Sequence, residues 1–246
     1  MEVITSLQNN KIKELSKLNI KKYRDESKFF LVEGEHLVEE AYKKNQLQEV
    51  LITLDYKCNY DVNITYISED VMKKLSMMKT PSKIIGVCKK FIPLNYGNRL
   101  ILLDNLQDPG NLGTIIRSAA SFNFDTVVLS ETTVDLYNDK VIRSSEGMIF
   151  NIDIMKRNLI DLINELKENN YVIYGTDVNG GTILNETPFE SKMAIVIGSE
   201  GSGVSEEIKR LLDSNIYIPM NKKCESLNAS VAASIIMYEV SKVDYE

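Results

Sequence analysis

The sequence predicts an α/β fold in two parts, and three observations carry the prediction. Strand-like apolar runs alternate with helix-periodic stretches along all 246 residues. The run "RLILLD" is apolar almost throughout, as befits a central strand of a parallel sheet with both faces covered. Residues 91–98, "FIPLNYGN", interrupt the alternation with Pro93, Asn95, Gly97 and Asn98. The break separates a small α/β unit, residues 1–92, from a parallel-sheet unit, residues 99–246.

Ahead of the break a basic helix opens the chain, with Lys13, Lys17 and Lys21 spaced by four along one face. Strand "KFFLVEG" follows, then a helix over 35–44, strands "LQEVLIT" and "NITYIS", a helix near 69–78 and strand "SKIIGVCKK". After the break "RLILLD" runs into the loop and helix of "NLQDPGNLGTIIRSAASF". Strand "DTVVLS", a helical stretch at "YNDKVIRSSEG" and a helix over 159–169 come next. Strands "YVIYGTD" and "KMAIVIG", a helix opening after "SEGSG", strand "NIYIPM" and a final helix complete the order. Short loops between such units mean a parallel sheet sandwiched by helices.

Composition narrows the chemistry. Apolar content of 43% and charged content of 26% are ordinary for a globular protein. No stretch approaches the roughly 18 apolar residues of a membrane helix, and the N-terminus lacks a signal-peptide pattern, so the cytoplasm is the expected location. Cys58, Cys88 and Cys224 lie far apart with no CxxC or His/Cys spacing, which argues against zinc or a disulfide framework. His36 is the only histidine, and Leu37, Val38 and Ala41 around it favour a structural or surface role over catalysis. A net charge of −6 opposes non-specific nucleic-acid binding. The charge is uneven, however: residues 1–28 carry Lys11, Lys13, Lys17, Lys21, Lys22, Arg24 and Lys28 against Glu2, Glu14, Asp25 and Glu26. That face either meets phosphates or is simply solvated.

In parallel sheets ligands bind at the carboxyl ends of strands, where loops meet helix N-termini. Three loops stand out there. In "DNLQDPGNLGTIIRSAA", Asp108 to Asn111 form a turn, Gly113 permits a close approach, and Arg117 sits in an otherwise apolar, small-residue helix. Such an arginine cannot shed its charge, so it meets either a ligand anion or a carboxylate such as Asp104 or Asp108. In "AIVIGSEGSGVSEEI", Gly198, Gly201 and Gly203 follow a strand in the wrong order for GxGxxG and without the GK[ST] of a P-loop. Glu200 would repel a phosphate there, so a cofactor lacking phosphates, carrying positive charge, fits better; a plain glycine turn is the alternative. In "NKKCESLNAS", Ser226, Asn228 and Ser230 stand ahead of a long apolar helix whose first N–H groups have no partner within the helix. One cap would suffice, so that helix start reads as a binding surface.

Together, and in this order, these strings resemble the SpoU (TrmH-like) family of RNA ribose 2′-O-methyltransferases within the SPOUT superfamily. "DNLQDPGNLGTIIRSAASF" looks like the family's first motif, "IVIGSEGSGVS" its second and "IYIPMNKKCESLNASVAASI" its third; "KVIRSSEGMIF" is similar to a segment between the first two. "ITSLQNNKIKELSKL", "FFLVEGEHLVEEA" and "TPSKIIGVCK" more loosely resemble the family's preceding substrate-binding domain.

The resemblance implies a SPOUT domain with a C-terminal trefoil knot, preceded by a smaller α/β substrate-binding domain. It also implies S-adenosylmethionine as cofactor, rRNA or tRNA as substrate, and a homodimer whose active site is completed across the interface. Carried over by position, Thr176, Gly198, Glu200, Gly201, Ile218, Met220 and Leu227 surround the cofactor. Arg117, Asn111, Ser226 and Asn228 serve the reaction, Arg117 by oxyanion or phosphate contact and the others by positioning. Two residues depart from the family's pattern: Lys222 where glycine is usual, and Ala229 where a larger aliphatic is usual. The alternative function is a non-catalytic RNA-binding protein on the same scaffold. A base methyltransferase of the same superfamily is a further alternative.

Overall fold

The computed structural model describes residues 2–178, 180–221 and 223–242. Lys222, whose effect on the third-motif turn the sequence raised, lies outside them. In the first half the order is β1 (Val3–Ile4), α1 (Asn10–Lys17), α2 (Lys21–Ser27), β2 (Phe29–Glu33), α3 (Glu35–Lys43), β3 (Leu47–Ile52), β4 (Asn63–Ile67), α4 (Glu69–Leu75) and β5 (Ile84–Lys89). The sheet runs β1-β4-β3-β5-β2, with β1, β4 and β3 parallel and β5 antiparallel to both its neighbours. Alternation along β3 and β5 sends Leu51, Ile85 and Val87 toward α1 and α4, where they pack with Ile12, Val71 and Leu75. Val50, Ile52, Ile84 and Cys88 go to the other face and join a core continuous with the second half.

The predicted basic helix is two helices. Buried Leu18 caps α1, and the N–H groups of Leu18, Asn19 and Ile20 turn back to the carbonyls three residues earlier. Ile20 is extended, and α2 starts afresh at Lys21, so Lys21 does not share a helix face with Lys13 and Lys17. Several of these cations are also paired: Lys11 with Glu49, Lys17 with Glu14, Lys21 with Asp25.

The second half runs β6 (Arg99–Leu103), α5 (Pro109–Ser121), β7 (Thr126–Leu129), α6 (Asp139–Ser144), β8 (Asp153–Lys156), α7 (Leu159–Glu168), β9 (Val172–Asp177), β10 (Thr182–Ile183), β11 (Met193–Ile197), α8 (Glu206–Lys209), β12 (Ser214–Tyr217) and α9 (Ala229–Ser241). All seven strands are parallel, ordered β10-β12-β9-β11-β6-β7-β8. Strands β8 and β10 escaped the sequence reading because both are short edges with mixed polarity. The helix expected after "SEGSG" is a single turn. Most helices begin on a side-chain cap: Asn9, Ser68, Asp108, Asn138, Asn158 and Asn228 each accept from a backbone N–H one turn inward.

The chain builds outward from β6 through β7 to β8, then crosses back, so that β11 lies against β6 on the other side. That reversal creates a crevice at the carboxyl ends of β6 and β11. The loops leaving these two adjacent strands carry the first and second motif strings. The halves are joined by a buried ion pair, Arg24 with Asp135, and by Phe30, whose ring lies 4.5 Å from Tyr137. His36 contributes Nε2 at 3.1 Å from the Glu146 carbonyl, a structural contact between the halves.

Candidate active site

The site grows out of three loop starts. After β6, Asp108 caps α5: its Oδ1 accepts the Asn111 N–H at 2.8 Å, and Lys140 approaches at 3.3 Å. Those contacts, the backbone one foremost, hold the Asp108 carboxyl below the usual carboxylate range. Pro109 occupies the first turn of α5, where its missing N–H costs nothing. Gly113 brings α5 against α6, since a Cβ there would lie 2.5 Å from Ser144 Cβ and 2.6 Å from the Val141 carbonyl. Asn111 is thereby fixed in the crevice, only 9% exposed.

After β11 the chain folds into a small closed ring. Ser199 and Gly203 exchange two backbone hydrogen bonds of 3.0 Å, and Gly203 takes φ +66°, a left-handed conformation that suits glycine. Gly198 has no room for a side chain, because a Cβ would fall 2.0 Å from the Gly203 carbonyl carbon. The glycine-turn reading is therefore true of the ring, and its consequence is that Glu200 and Gly201 stand at the tip. Asp104 ties the ring's exit down by accepting the Ser205 N–H at 2.8 Å. Glu200 Oε1 accepts from Asn111 Nδ2 at 2.7 Å, which links the first and second motifs.

After β12 the chain passes Ile218, Met220, Ser226 and Leu227 before α9 begins. The cap of α9 is Asn228: its Oδ1 accepts the N–H groups of Ser230 at 2.9 Å and Val231 at 3.3 Å. Those two N–H groups are consequently not open to a ligand, which corrects the expectation of a bare helix start. Ser226 lies in the preceding loop, exposed, its carbonyl accepting from the Cys224 thiol at 3.2 Å.

The second and third of these loops, with the end of β9, enclose a cavity of about 470 Å³. All seven residues expected around the cofactor line it: Thr176, Gly198, Glu200, Gly201, Ile218, Met220 and Leu227, joined by Ser226. Thr176 spends its hydroxyl on the Val196 carbonyl, 3.2 Å away, so it contributes shape more than a donor. Asn111 reaches the cavity through Glu200, and Asn228 sits between the lining residues Leu227 and Ala229. Arg117 is not brought in. It is exposed on α5, outside the cavity lining, and Asp104 and Asp108, its expected carboxylate partners, are engaged by Ser205 N–H, Asn111 N–H and Lys140. Ile197, Ala232 and Ile236 also line the cavity and were not singled out from sequence. Their signal was present but ambiguous, since buried strand and helix apolars look alike whether or not they touch a ligand.

A larger cleft of about 990 Å³ opens between the halves at the amino ends of β6, β7 and β8, lined by Lys44, Lys89, Phe91 and Asp153 among others. It holds none of the predicted site residues and faces away from the strand ends that carry the motifs.

Two family matches cover the chain. Residues 98–238 match the SpoU rRNA Methylase family, and residues 9–86 match the MRM3-like substrate binding domain. The chain is 38% identical to the 23S rRNA (guanosine(2553)-2'-O)-methyltransferase RlmP of Bacillus subtilis over 248 residues, covering 98% of this chain and 99% of RlmP. Among solved structures, an AdoMet-bound rRNA methyltransferase from Sinorhizobium meliloti superposes with a TM-score of 0.88 at 24% identity over 98% of both chains. An RNA 2'-O ribose methyltransferase superposes with a TM-score of 0.84 at 27% identity over 100% of both.

Proposed function

This chain belongs to the SpoU rRNA Methylase family, and we propose that it transfers a methyl group from S-adenosylmethionine to a ribose 2′-hydroxyl of ribosomal RNA. The observation that carries the reading is a cavity lined by the second and third motif loops, to which the first is tied by the hydrogen bond from Asn111 to Glu200. Residues 1–92 act as the substrate-binding domain and residues 99–246 as the methyltransferase domain; the match of residues 9–86 to a substrate-binding family supports the first assignment.

The cavity fits the cofactor. Its volume lies within the range of small-ligand sites, about 300–1,000 Å³. Ile197, Ile218, Leu227 and Ile236 offer apolar walls for a purine, and the Glu200 carboxylate suits a ligand that is cationic and free of phosphate. When bound, the cofactor supplies an electrophilic methyl group on a sulfonium. The chain's residues do the rest. The Ser199–Gly203 ring holds Glu200, and Glu200 holds the Asn111 amide. Asn228 presents its amide beside the lining residues. The ribose hydroxyl is a weak nucleophile, so charge growing on its oxygen must be stabilised. Arg117 is the cation for that role, because a guanidinium stabilises an oxyanion far more readily than it removes a proton.

Arg117 lies outside its own chain's cavity, so the reading includes a homodimer in which Arg117 serves the partner's site. On α9, which packs against α5, Val231 is 46%, Ile235 37% and Tyr238 52% exposed, an apolar strip that supports a second copy on this face. The family's trefoil knot belongs to the same reading.

Calorimetric titration with S-adenosylmethionine tests the site. The wild type binds, and Glu200→Lys, which sets a cation against a cation, loses binding at least about 100-fold. Mapping of alkali-resistant linkages in rRNA from cells lacking the protein then identifies the methylated ribose. A wild type that binds RNA but neither binds the cofactor nor transfers methyl is an RNA-binding protein instead.

A further inference from the structure

Ser230 is a buried hydroxyl in a helix that has no structural need of one. It is 6% exposed in the first turn of α9, where alanine would have the higher helix propensity and no polar atom to desolvate. Serines inside helices commonly bond the carbonyl four residues back, as Ser234 does to the Ser230 carbonyl at 2.7 Å. Ser230 does something else. Its Oγ lies 2.7 Å from Asn228 Oδ1 and 3.2 Å from Asn111 Oδ1, so one hydroxyl hydrogen serves carbonyl oxygens of the first and third motifs.

The consequence for Asn228 follows from counting donors. Its Oδ1 receives the Ser230 N–H, the Val231 N–H and the Ser230 hydroxyl. The amide cannot rotate by half a turn without setting its NH2 group against two backbone N–H donors. Nδ2 is therefore turned away from the helix end, at an exposed residue beside the cavity lining. Asn111 is fixed in the same way: Nδ2 donates to Glu200, and Oδ1 accepts from Ser230. A chain of hydrogen bonds, Glu200 to Asn111 to Ser230 to Asn228, thus runs across all three motif loops. One turn further along, Ser118 and Ser234 stitch α5 to α9 with hydroxyls 2.7 Å apart.

We infer that Ser230 is a positioning residue for methyl transfer: its hydroxyl locks the Asn111 and Asn228 amides so that Asn228 Nδ2 stands as a fixed donor to the reacting ribose. The inference rests on the methyltransferase reading, and Ser230 acts through the two asparagines without lining the cofactor cavity. A donor fixed before the reaction needs no reorganisation when charge develops on the ribose oxygen.

The test uses full-length protein, rRNA from cells lacking it, and S-adenosylmethionine labelled in the methyl group. Ser230→Ala lowers kcat about tenfold or more, by misorienting the donor, while the KM for rRNA and the calorimetric Kd for S-adenosylmethionine stay within about twofold. Asn228→Asp keeps the cap, removes the Nδ2 donor and sets a negative charge where charge grows on the ribose oxygen, so it matches or exceeds that loss. Adding Ser230→Ala to Asn228→Asp lowers kcat no further. Wild-type kcat in Ser230→Ala, or full multiplication of the two losses in the double variant, overturns the inference. Should Ser230→Ala fail to fold, a fully active Asn228→Asp overturns it by itself. A wild type that transfers no methyl overturns the methyltransferase reading and this inference with it, whereas an active wild type beside a fully active Ser230→Ala overturns this one alone.

Discussion

Arg117 and Asn111 sit on the same helix, six residues apart, and have opposite circumstances. Asn111 is buried and hydrogen-bonded on both ends of its amide; Arg117 is exposed, outside the cavity. Sequence supplied both residues but could not separate them, because burial on α5 depends on what packs against it. If Arg117 stabilises charge on the reacting oxygen of a partner's site, Arg117→Ala lowers kcat about 100- to 1,000-fold, the range for losing one oxyanion donor. Cofactor affinity stays at the wild-type value, since Arg117 lies outside its own chain's cavity lining and would meet the ribose oxygen, not the cofactor. Single-turnover methyl transfer and calorimetry separate the two effects, and equal loss of cofactor affinity would show that Arg117 belongs to the binding pocket. Legibility at this scale was uneven. Glu200 and the glycines around it were readable because a carboxylate excludes phosphate and a tight ring demands glycine. The role of Ser230 was hidden, since no local pattern says that a hydroxyl will bridge to a residue 119 positions away.

Among the elements, α5 shows how a sequence signal can be right in kind and silent in detail. Gly113 was read as permitting a close approach; the approach is to α6, through Ser144 and the Val141 carbonyl. Part of that contact is backbone, which cannot turn aside as a side chain would. Gly113→Ala therefore destabilises the protein by about 1–3 kcal/mol, the usual cost of overpacking, and moves the start of α5 together with Asn111. Urea denaturation measures the first effect; a weakened kcat at full cofactor occupancy reports the second. An unchanged midpoint would mean that α6 yields freely. The first helix gives the opposite lesson. Lysines at 13, 17 and 21 fitted one helical face, but α1 ends at Lys17, with buried Leu18 as its cap, before Lys21 is reached. Charge also meets charge locally: burial raises the Asp25 carboxyl, yet hydrogen bonds from Lys21 and Lys90 outweigh it and hold its pKa at about 2. The basic face is thus smaller than its lysine count.

The whole molecule joins two sheets through one continuous apolar core and an ion pair between Arg24 and Asp135. A second copy seated on the α5 and α9 face would bring Arg117 to a partner's cavity and cover Val231, Ile235 and Tyr238. If a dimer forms on this face, Ile235→Glu places a charge in that strip, so the variant sediments as a monomer and methyl transfer falls at least about tenfold, while cofactor binding persists. A variant that is monomeric and fully active would remove the dimer from the mechanism.

By itself the sequence determined most of the strand and helix alternation, the break at 91–98 and the three loops, because each is set by local spacing, by side-chain type or by the backbone freedom of glycine. It did not determine the order of the strands. Only the tertiary structure placed β11 between β6 and β9, brought Glu200 to Asn111 across 89 residues, and left Arg117 facing outward. Those outcomes follow from which backbone edges pair and which faces bury against each other, and such choices are made between segments far apart in the chain, where periodicity carries no information.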